Sequence, residues 1–406
     1  MTEASIIIRN QRQKAIERRH PWIFSGAIAR IDGTPGDGEL VSVHSEQGEF
    51  LARGYWNSKS DIRIRLLSWD KDEPVDENFW RRRLKRAVAE RSVENRVYQH
   101  GTPNAYRLVN AENDALPGLV VDRYGDWLVL QALTLGIAVR REMLTKLLME
   151  MLNPAGIYER SDVDVRPKEG LPPETGLLKG KEPPELIEID ENGRRFLVDV
   201  RHGHKTGFYL DQRENRAIIG EWFRWDDHAS ERTVLNTFAY TGGFAIYALA
   251  SLVKRVVNVD SSAEALALAK QNMRLNGFSI PDDDFVEGDV FQVLRYFRDS
   301  EQTFDMIILD PPKFAHSVRQ VESAARGYKD INWLAFRLLK PGGILATFSC
   351  SGAIDERLFQ QIVFGALVDA GREAHIIRHL EQASDHPVAL TFPEGAYLKG
   401  LFCRVW

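Results

Sequence analysis

The feature that most limits the fold is a regular rhythm that begins near residue 213 and continues to the C-terminus. Short apolar segments typical of strands alternate there with longer amphipathic segments typical of helices. Such alternation indicates a mainly parallel sheet covered by helices on both faces. The strand segments are TVLNTF, RVVNVD, DDFVEGD, FDMIILD and GGILATFS, and helices are expected over about 243–250, 262–276, 289–297, 320–339 and 354–370.

The residues before this rhythm form two smaller regions. Residues 1–72 contain three alternating segments typical of half-buried strands, ELVSVH, EFLARGYW and DIRIRLLSW. Residues 73–190 combine strands with two helices. Pro and Gly are frequent over 166–185, which predicts a long loop. A chain of 406 residues exceeds one compact core, so we expect domains at 1–72, 73–190 and 191–406.

The composition is that of an ordinary globular protein, with 44% hydrophobic and 27% charged residues. No apolar run approaches the roughly 20 residues that cross a bilayer, and the N-terminus does not resemble a secretory signal. We therefore expect no membrane partner. Two cysteines, Cys350 and Cys403, are too few to stabilise this chain by disulfides, so a reducing, cytoplasmic setting is expected. No metal is expected.

Basic residues are concentrated in two clusters, although the net charge is −5. Residues 9–19 hold five basic side chains against the single acid Glu17. Residues 81–96, in a charged helix expected from Glu77 to about Tyr98, hold seven against two acids. Such clusters can neutralise phosphates, whatever the charge of the whole chain. They are equally typical of solvated helix or loop faces, and the sequence leaves both interpretations open.

The strongest local motif is LNTFAYTGGFAIYALA over 235–250, a strand that turns through two glycines into a helix. Glycines let the backbone approach a ligand at the carboxyl end of a strand, where open α/β sheets bind ligands. The motif is neither the GxGxxG dinucleotide motif nor a P-loop, and a purely structural glycine turn is the alternative. The candidate ligand-binding residues are Asn236, Phe238, Ala239, Tyr240, Thr241, Gly242 and Gly243.

Three acids follow this turn, one at the end of each of the next three strands: Asp260, Asp289 and Asp310. Asp260 is positioned to accept hydrogen bonds from both ribose hydroxyls, and Asp289 to hold an adenine amino group. One such acid is commonly a helix N-cap, but three in succession after a Gly-rich turn favour a nucleoside cofactor. We therefore predict a site for S-adenosylmethionine (SAM). The neighbouring residues included in it are Ser261, Val290 and Pro311.

A Gly-punctuated loop, HGHKTGFYLDQRENR over 202–216, precedes the first helix of this region. Its charged and hydroxyl side chains indicate contact with the zwitterionic methionine end of SAM. A capped helix start at Asp211 is compatible with that role. The candidates included in the site are Tyr209, Asp211 and Arg213.

Cys350 follows the fifth strand, in TFSCSG, and is expected at the same sheet edge as Asp310. Carbon 5 of a pyrimidine is too weak a nucleophile to attack a sulfonium methyl group. Addition of a thiolate to carbon 6 makes carbon 5 enamine-like, so the methyl group can transfer. Asp310 can assist by hydrogen-bonding or protonating cytosine N3. We predict Cys350 and Asp310 as catalytic residues, and we expect Cys403, in LFCRVW, to be a small buried side chain.

The C-terminal segments HIIRHL and YLKGLFCRVW have no helix between them, which predicts an antiparallel pair closing the sheet, as in class I methyltransferases. With these residues together, the chain resembles the ribosomal RNA large subunit methyltransferase I family, which methylates cytosine C5 in bacterial large-subunit rRNA. The resemblance covers almost the whole chain. The motifs that carry it are HPWIFSGAI, RSDVDVRPKEGL, HKTGFYLDQRENR, NTFAYTGGF, VDSSAEALALAKQNMRLNG, DPPKFA and FSCSG.

The resemblance implies an α/β protein with a C-terminal Rossmann-like class I methyltransferase sheet, a small β-rich PUA domain before it and a small α/β domain in the middle. It also implies that Cys350 is the nucleophile and that the partner is large-subunit rRNA, free or in an early particle. The PUA domain would grip RNA through a basic edge from Arg9 to Arg19. The target base would be flipped out of the RNA. The oligomeric state is left open, a homodimer included.

Three alternatives stay open beside cytosine C5. Other RNA cytosine-5 methyltransferases commonly have a second cysteine where this chain has Asp310-Pro311-Pro312-Lys313, and DPP with a later SC also resembles RNA uracil-5 methyltransferases. A base-nitrogen methyltransferase would use DPPKF without a thiol. The third alternative is a non-catalytic RNA-binding assembly factor that retains the fold.

Overall fold

The computed structural model describes residues 3–94, 103–315 and 317–406, in which the chain forms two compact units. The first unit comprises residues 1–191, 198–210 and 384–395, and the second unit comprises residues 192–197, 211–383 and 396–406. The chain therefore passes from one unit to the other several times. The division into domains at 1–72, 73–190 and 191–406 stays a prediction.

The first unit begins with a six-stranded sheet. Its elements are β1 (Ala4–Ile8), α1 (Gln13–Glu17), β2 (Trp22–Phe24), β3 (Ile28–Asp32), β4 (Leu40–Ser45), β5 (Phe50–Trp56) and β6 (Ile62–Ser68). The strand order is β2-β6-β5-β4-β1-β3, and β1 pairs in parallel with β4. Apolar side chains along the strands, such as Ile6, Val41 and Ile64, pack into one core. The sheet confirms a β-rich N-terminal region.

A five-stranded sheet follows in the first unit, in the order β11-β10-β9-β8-β7. Its elements are α2 (Glu77–Glu94), β7 (Ala105–Asn110), β8 (Leu119–Tyr124), β9 (Trp127–Ala132), α3 (Leu135–Ala138), α4 (Arg141–Leu152), β10 (Gly156–Ser161) and β11 (Glu174–Gly180). The expected charged helix is thus present from Glu77 to Glu94. Its last predicted residues, with Arg96 of the basic cluster, lie outside the described residues.

The long loop predicted over 166–185 is wrong in part, because β11 forms within it and pairs antiparallel with β10. β11 lies at the edge of its sheet. An edge strand tolerates flanking prolines and internal glycines because one of its sides makes no ladder hydrogen bonds. Gly180 has a φ of +83°, and a Cβ there would lie 2.5 Å from Ala155 O. The glycine that indicated a loop is therefore needed for strand pairing.

Buried ion pairs join the two sheets of the first unit. Arg65 on β6 donates to Glu112 at 2.7 Å and to Glu169 at 2.8 Å. All three side chains are at most 8% exposed. A guanidinium buried without such partners would carry a large desolvation cost. The two carboxylates therefore fix the six-stranded sheet against the segments that follow β7 and β10.

Two strands, β12 (Ile187–Glu191) and β13 (Arg194–Val198), lie where the chain first passes between the units. The second unit then alternates strands with helices, as the rhythm of the sequence predicts. Its elements are α5 (Arg213–Arg224), β14 (Thr233–Thr237), α6 (Gly243–Leu249), β15 (Arg255–Asp260), α7 (Ala263–Leu275), β16 (Phe285–Glu287), α8 (Val290–Asp299), β17 (Phe304–Leu309), α9 (Val321–Leu338), β18 (Leu339–Ser349), α10 (Glu356–Ala370), β19 (Ala374–Glu381) and β20 (Lys399–Val405).

The sheet of the second unit has seven strands in the order β16-β15-β14-β17-β18-β20-β19. The first five are mutually parallel. β20 inserts antiparallel between β18 and β19, so the predicted antiparallel closure is confirmed. This order is that of a Rossmann-like class I methyltransferase sheet, and the predicted α/β fold class is confirmed.

One large core packs the sheet of the second unit against α8, α9 and α10. Leu235, Leu309 and Leu345 from three neighbouring strands are fully buried in it. Cys403 on β20 joins the same core at 3% exposure, and burial raises the pKa of its thiol to about 12. Cys403 is therefore an inert core side chain, as the sequence indicates.

Leu235→Ala should lower the free energy of unfolding of the second unit by about 2–5 kcal/mol, because it leaves a cavity in a core that cannot close around it. Val368→Ala removes a side chain that is 57% exposed and should change stability by less than about 0.5 kcal/mol. Urea unfolding of both variants measures the difference. Equal losses for the two would show that this core does not stabilise the unit.

Candidate active site

Five parallel strands end side by side at one edge of the second unit's sheet. Thr237 pairs in register with Val259 and Leu309, and Leu309 pairs with Thr347. The residues that follow these partners share that edge, where open α/β sheets bind ligands. The predicted site residues brought there are Phe238, Ala239, Tyr240, Thr241, Gly242, Gly243, Asp260, Ser261, Asp289, Val290, Asp310, Pro311 and Cys350.

The turn between β14 and α6 contains strained backbone. Phe238 and Tyr240 have φ values of 53° and 46°, a region that costs a residue with a side chain on the order of 1–2 kcal/mol. Two hydrogen bonds hold this shape. Ala239 N donates to Val259 O at 3.0 Å, and Tyr240 N donates to the Asp260 carboxylate at 2.8 Å. Strain of this kind is concentrated at ligand sites, which supports the prediction of a binding turn.

Two glycines of this turn have neighbours that leave little room for a side chain. Gly242 has a φ of +81°, and a Cβ there would lie 3.2 Å from Ala269 Cβ. A Cβ on Gly243 would lie 2.9 Å from Cδ of Arg216 on α5. The turn is therefore packed closely between α5 and α7, which makes glycine necessary at Gly242 in particular.

Asn272 on α7 supports the same turn and was not predicted. It is fully buried, donates from Nδ2 to Thr241 O at 3.1 Å and accepts from Leu197 N at 2.7 Å. A polar residue on the apolar face of an amphipathic helix was the available signal, since a buried amide must find partners.

Asp260 and Asp289 bond to backbone amides in different ways. The Asp260 carboxylate accepts from Tyr240 N at 2.8 Å and from Ser262 N at 2.9 Å, which joins the ends of β14 and β15. A carboxylate offers about four acceptor positions, so two are left for ribose hydroxyls. Asp289 is exposed and caps α8 by accepting from Gln292 N at 3.0 Å. The cap uses one carboxylate oxygen and is compatible with adenine binding.

A cavity of about 450 Å³ lies beside Asp289. Its lining runs from Gly288 and Asp289 to Arg255 and Gln302, which lie toward the amino ends of the strands. Only one end of the cavity therefore borders the carboxyl edge where the candidate residues collect.

Asn236, Val290 and Thr241, which are predicted to meet the cofactor, have buried side chains. Asn236 is 1% exposed and donates from Nδ2 to Asn258 Oδ1 at 3.0 Å, and Val290 packs into the core. Thr241 is 3% exposed, and within the described residues its hydroxyl has no hydrogen-bond partner. A buried hydroxyl without a partner is costly, so a polar ligand at the turn would satisfy it. The turn therefore fits a polar nucleoside such as SAM.

The residues predicted to meet the methionine end of SAM are divided between the units. Asp211 and Arg213 lie in the second unit at the start of α5, and both side chains are at most 2% exposed. Asp211 accepts from the hydroxyl of Tyr397, a residue that was not predicted, at 2.6 Å. Tyr209 lies in the first unit, with Lys205 Nζ 4.4 Å from its ring.

Cys350 lies in a turn that hydroxyl groups hold on both sides. Tyr328 OH lies 3.0 Å from Ser349 Oγ and 3.1 Å from Ser351 Oγ. Ser351 Oγ also accepts from Ala315 N at 3.2 Å, which connects the turn to the DPPKFA loop after β17. Cys350 itself is half-buried. The network therefore fixes the position of Cys350 relative to the DPPKFA loop, which begins with Asp310, the other predicted catalytic residue.

The two basic clusters differ in their ion pairs. Within the described residues, none of the five basic side chains over 9–19 forms an ion pair with an acid. In the second cluster, Arg82 pairs with Glu73 and Arg86 with Glu90, each at 2.8–2.9 Å. The second cluster is thus largely neutralised, whereas the charge of the first is available to phosphates.

Two features are not found in the part of the chain that the structure describes. No group of three or more His, Cys, Asp or Glu side chains could hold a metal ion. No described helix is both long and apolar enough to span a bilayer.

Comparison with known proteins identifies the family. A PUA-like domain model matches residues 6–69, and an S-adenosylmethionine-dependent methyltransferase model matches residues 171–404. A curated relative from Aeromonas salmonicida, named ribosomal RNA large subunit methyltransferase I, is 51% identical over 97% of each chain. A relative of the same name from Shewanella amazonensis is 49% identical over 99% of each chain. The chain belongs to the ribosomal RNA large subunit methyltransferase I family.

Membership of the ribosomal RNA large subunit methyltransferase I family confirms SAM as the cofactor. Solved structures share the fold at lower identity. A protein described as a methyltransferase complexed with SAH has a TM-score of 0.84 at 22% identity and covers 98% of this chain and 99% of its own. A structure from Streptococcus mutans, described as SAM-dependent, has a TM-score of 0.82 at 22% identity with the same coverage. The roles of individual residues stay predictions.

Gly242→Ala should weaken SAM binding about tenfold or more, because the new methyl group displaces a turn that lies against α7. Gly277→Ala is the matched control, since Gly277 has the same φ of +81° but no atom of the described residues lies within 4 Å of where its Cβ would be. Both variants should lose about 1–2 kcal/mol of stability from the left-handed backbone, and only Gly242→Ala should lose SAM affinity. Calorimetric titration with SAM decides, and equal affinities would contradict a cofactor role for this turn.

Proposed function

We propose that the protein is a SAM-dependent methyltransferase of large-subunit rRNA that forms 5-methylcytosine through a covalent bond to Cys350. The observation that carries the proposal is the turn that holds the half-buried Cys350 beside the loop following β17. The names of the curated relatives support the rRNA substrate.

The covalent step gives the cysteine a defined task. Sγ of Cys350 bonds to cytosine C6, and the electrons of the C5=C6 bond move through C4 to N3. Asp310, in its protonated form, donates a hydrogen bond or a proton to N3 as this charge develops. Carbon 5 would then bond to a methyl group as the bond from that group to its donor sulfur breaks, C4=N3 reforms and any proton given to N3 returns to Asp310. A base removes the proton from carbon 5, the electrons of that bond restore C5=C6, and Sγ leaves as a thiolate.

SAM, when bound, supplies an electrophilic methyl group on a positively charged sulfur. We assign its ribose hydroxyls to Asp260 and its adenine to Asp289, with Ser261, Val290 and Pro311 beside the ring. The strained turn, from Asn236 through Phe238, Ala239, Tyr240 and Thr241 to Gly242 and Gly243, would lie against the nucleoside. Tyr209, Asp211 and Arg213 are assigned to the methionine end. The Thr241 hydroxyl supports a polar ligand at this turn, because it has no hydrogen-bond partner in the part of the chain that the structure describes.

The first unit would hold the RNA backbone. The basic cluster over 9–19, which forms no ion pair among the residues that the structure describes, lies in a region that matches a PUA-like domain model. Phosphate contacts fix register without reading sequence, so base choice would rest with the pocket around Cys350. The substrate would be free rRNA or an early particle in the cytoplasm. Two free cysteines support a reducing setting.

A uracil C5 target is the second candidate, because the same thiolate addition activates uracil. It keeps Cys350 as the nucleophile and differs only in the group at C4. A base-nitrogen target would leave Cys350 without a task.

RNA that carries 5-fluorocytosine should form a covalent complex with the protein in the presence of SAM, because fluorine at carbon 5 blocks the release step. Denaturing electrophoresis detects the complex. Cys350→Ser should abolish it, whereas Cys403→Ala should form it normally, since Cys403 is a core residue. If the wild type methylates RNA but forms no covalent complex with the fluorocytosine RNA, the covalent mechanism is wrong. Trapping by 5-fluorouracil RNA alone would move the target to uracil.

Arg12→Ala with Arg18→Ala should weaken RNA binding and reduce the slope of log affinity against log salt by about two, one for each lost phosphate contact. Arg82→Ala with Arg86→Ala is the matched control, because both side chains are more than half exposed but already paired with acids. Filter binding across a salt series measures both pairs. If only the control pair lowers the slope of log affinity against log salt, the RNA does not contact the first cluster.

A further inference from the structure

Lys399 is a buried lysine at the end of the strand pair that carries Cys350. It begins β20 and is the register partner of Ser349, the last residue of β18. Only 9% of Lys399 is exposed. Its ammonium donates to Ser351 O at 2.8 Å and to Ile354 O at 2.6 Å. These two carbonyls belong to the turn that follows Cys350, so the lysine joins the two ends of that turn by hydrogen bonds.

A buried ammonium needs more than neutral carbonyl partners, because leaving water disfavours its charge. The charged groups that act on it come from each neighbouring segment. They are Cys350 after β18, Asp355 and Glu356 at the start of α10, and Lys313 in the DPPKFA loop. Asp355 caps α10 by accepting from Leu358 N. Glu356 lies 2.9 Å from His379. Of these groups, Cys350 acts most strongly on the Lys399 pKa, and Asp355 and Glu356 act in the same direction.

The pKa values of Lys399 and Tyr328 are shifted in directions that agree with this arrangement. Burial lowers the pKa of Lys399 from its ordinary value, and the Cys350 charge acts in the opposite direction. Burial also raises the pKa of Tyr328, and the Cys350 charge acts in the same direction there. The tyrosine on the other side of the turn thus stays a neutral hydroxyl. Of Tyr328 and Lys399, only the lysine gains a positive charge on protonation, and the Cys350 charge favours that protonated form against burial.

We propose that Lys399 is a positioning residue that keeps Cys350 in its thiolate form and fixes the Ser351–Ile354 turn around it. The proposal rests on the proposed covalent function of Cys350. A neighbouring cation favours a thiolate, which is the nucleophilic form of cysteine. The same cation stabilises the thiolate that leaves when the product is released. That help matters here because the DPPK motif has no second cysteine.

The test is the pH dependence of Cys350 alkylation by iodoacetamide, in a Cys403→Ala background so that one thiol reports. Lys399→Met keeps most of the length of the side chain and removes the charge, and should raise the pH midpoint of Cys350 alkylation by about one unit or more. Lys399→Arg keeps the cation and should stay within about half a unit of the parent. Lys340→Met is the control, because Lys340 pairs with Asp305 at the opposite end of β18. The pH midpoint of Cys350 alkylation in Lys340→Met should equal that of the parent protein.

A midpoint that Lys399→Met leaves unchanged overturns the proposal, even if Cys350 traps fluorocytosine RNA normally. A raised midpoint in a protein that traps no RNA keeps the coupling and rejects the proposed function instead.

A second measurement applies if Lys399→Met does not fold. The Lys399 ammonium is followed by NMR in ¹³C-lysine-labelled protein and identified by its absence in Lys399→Arg. Coupling between two sites is reciprocal, so Cys350→Ser should lower the Lys399 midpoint by about the shift that the lysine imposes on the cysteine. An unchanged Lys399 titration in Cys350→Ser overturns the proposal.

Discussion

Parallel pairing from β16 to β18 makes five strands end at the same edge of one sheet. Every candidate of the second unit that follows a strand depends on this constraint, because residues far apart in sequence become neighbours only through the register. Hydrogen bonds across the edge then fix the details. Tyr240 N to Asp260 ties two strand ends, and Ala315 N to Ser351 Oγ ties two others. A shift of one residue in any pair would turn these side chains to the other face.

The fold of the second unit was predictable because its signals are local. Short apolar strands and amphipathic helices can be recognised from the pattern of about ten consecutive residues. The strand-ending acids and the glycine turn could be recognised for the same reason, since each follows its strand directly. The antiparallel closure by β20 was predictable from the missing helix before it. The family resemblance added the assignment of the β-rich N-terminal region as a PUA domain, because local alternation predicts strands but gives no function.

The missed features depend on contacts between distant segments. β11 carries glycines and flanking prolines that indicate a loop, and only its pairing with β10 makes it a strand. Tyr328 and Lys399 meet the cysteine turn from a helix and a strand on either side of it in the sequence. Nothing local to those two residues indicates that meeting. The return of residues 384–395 to the first unit is likewise a tertiary fact.

The positive φ values of Phe238 and Tyr240 mean that the strain of this turn is present before any ligand binds. Asp260 and the backbone of β15 already hold this turn without a ligand. The free-energy cost of its strained backbone therefore belongs to folding and not to ligand binding. The nucleoside that we propose for this turn would find the backbone already in its bound shape and would lose little affinity to rearrangement. The turn is therefore also sensitive to substitutions on the face of α7 that packs against it, because Ala269 and Asn272 help keep the bent backbone from relaxing.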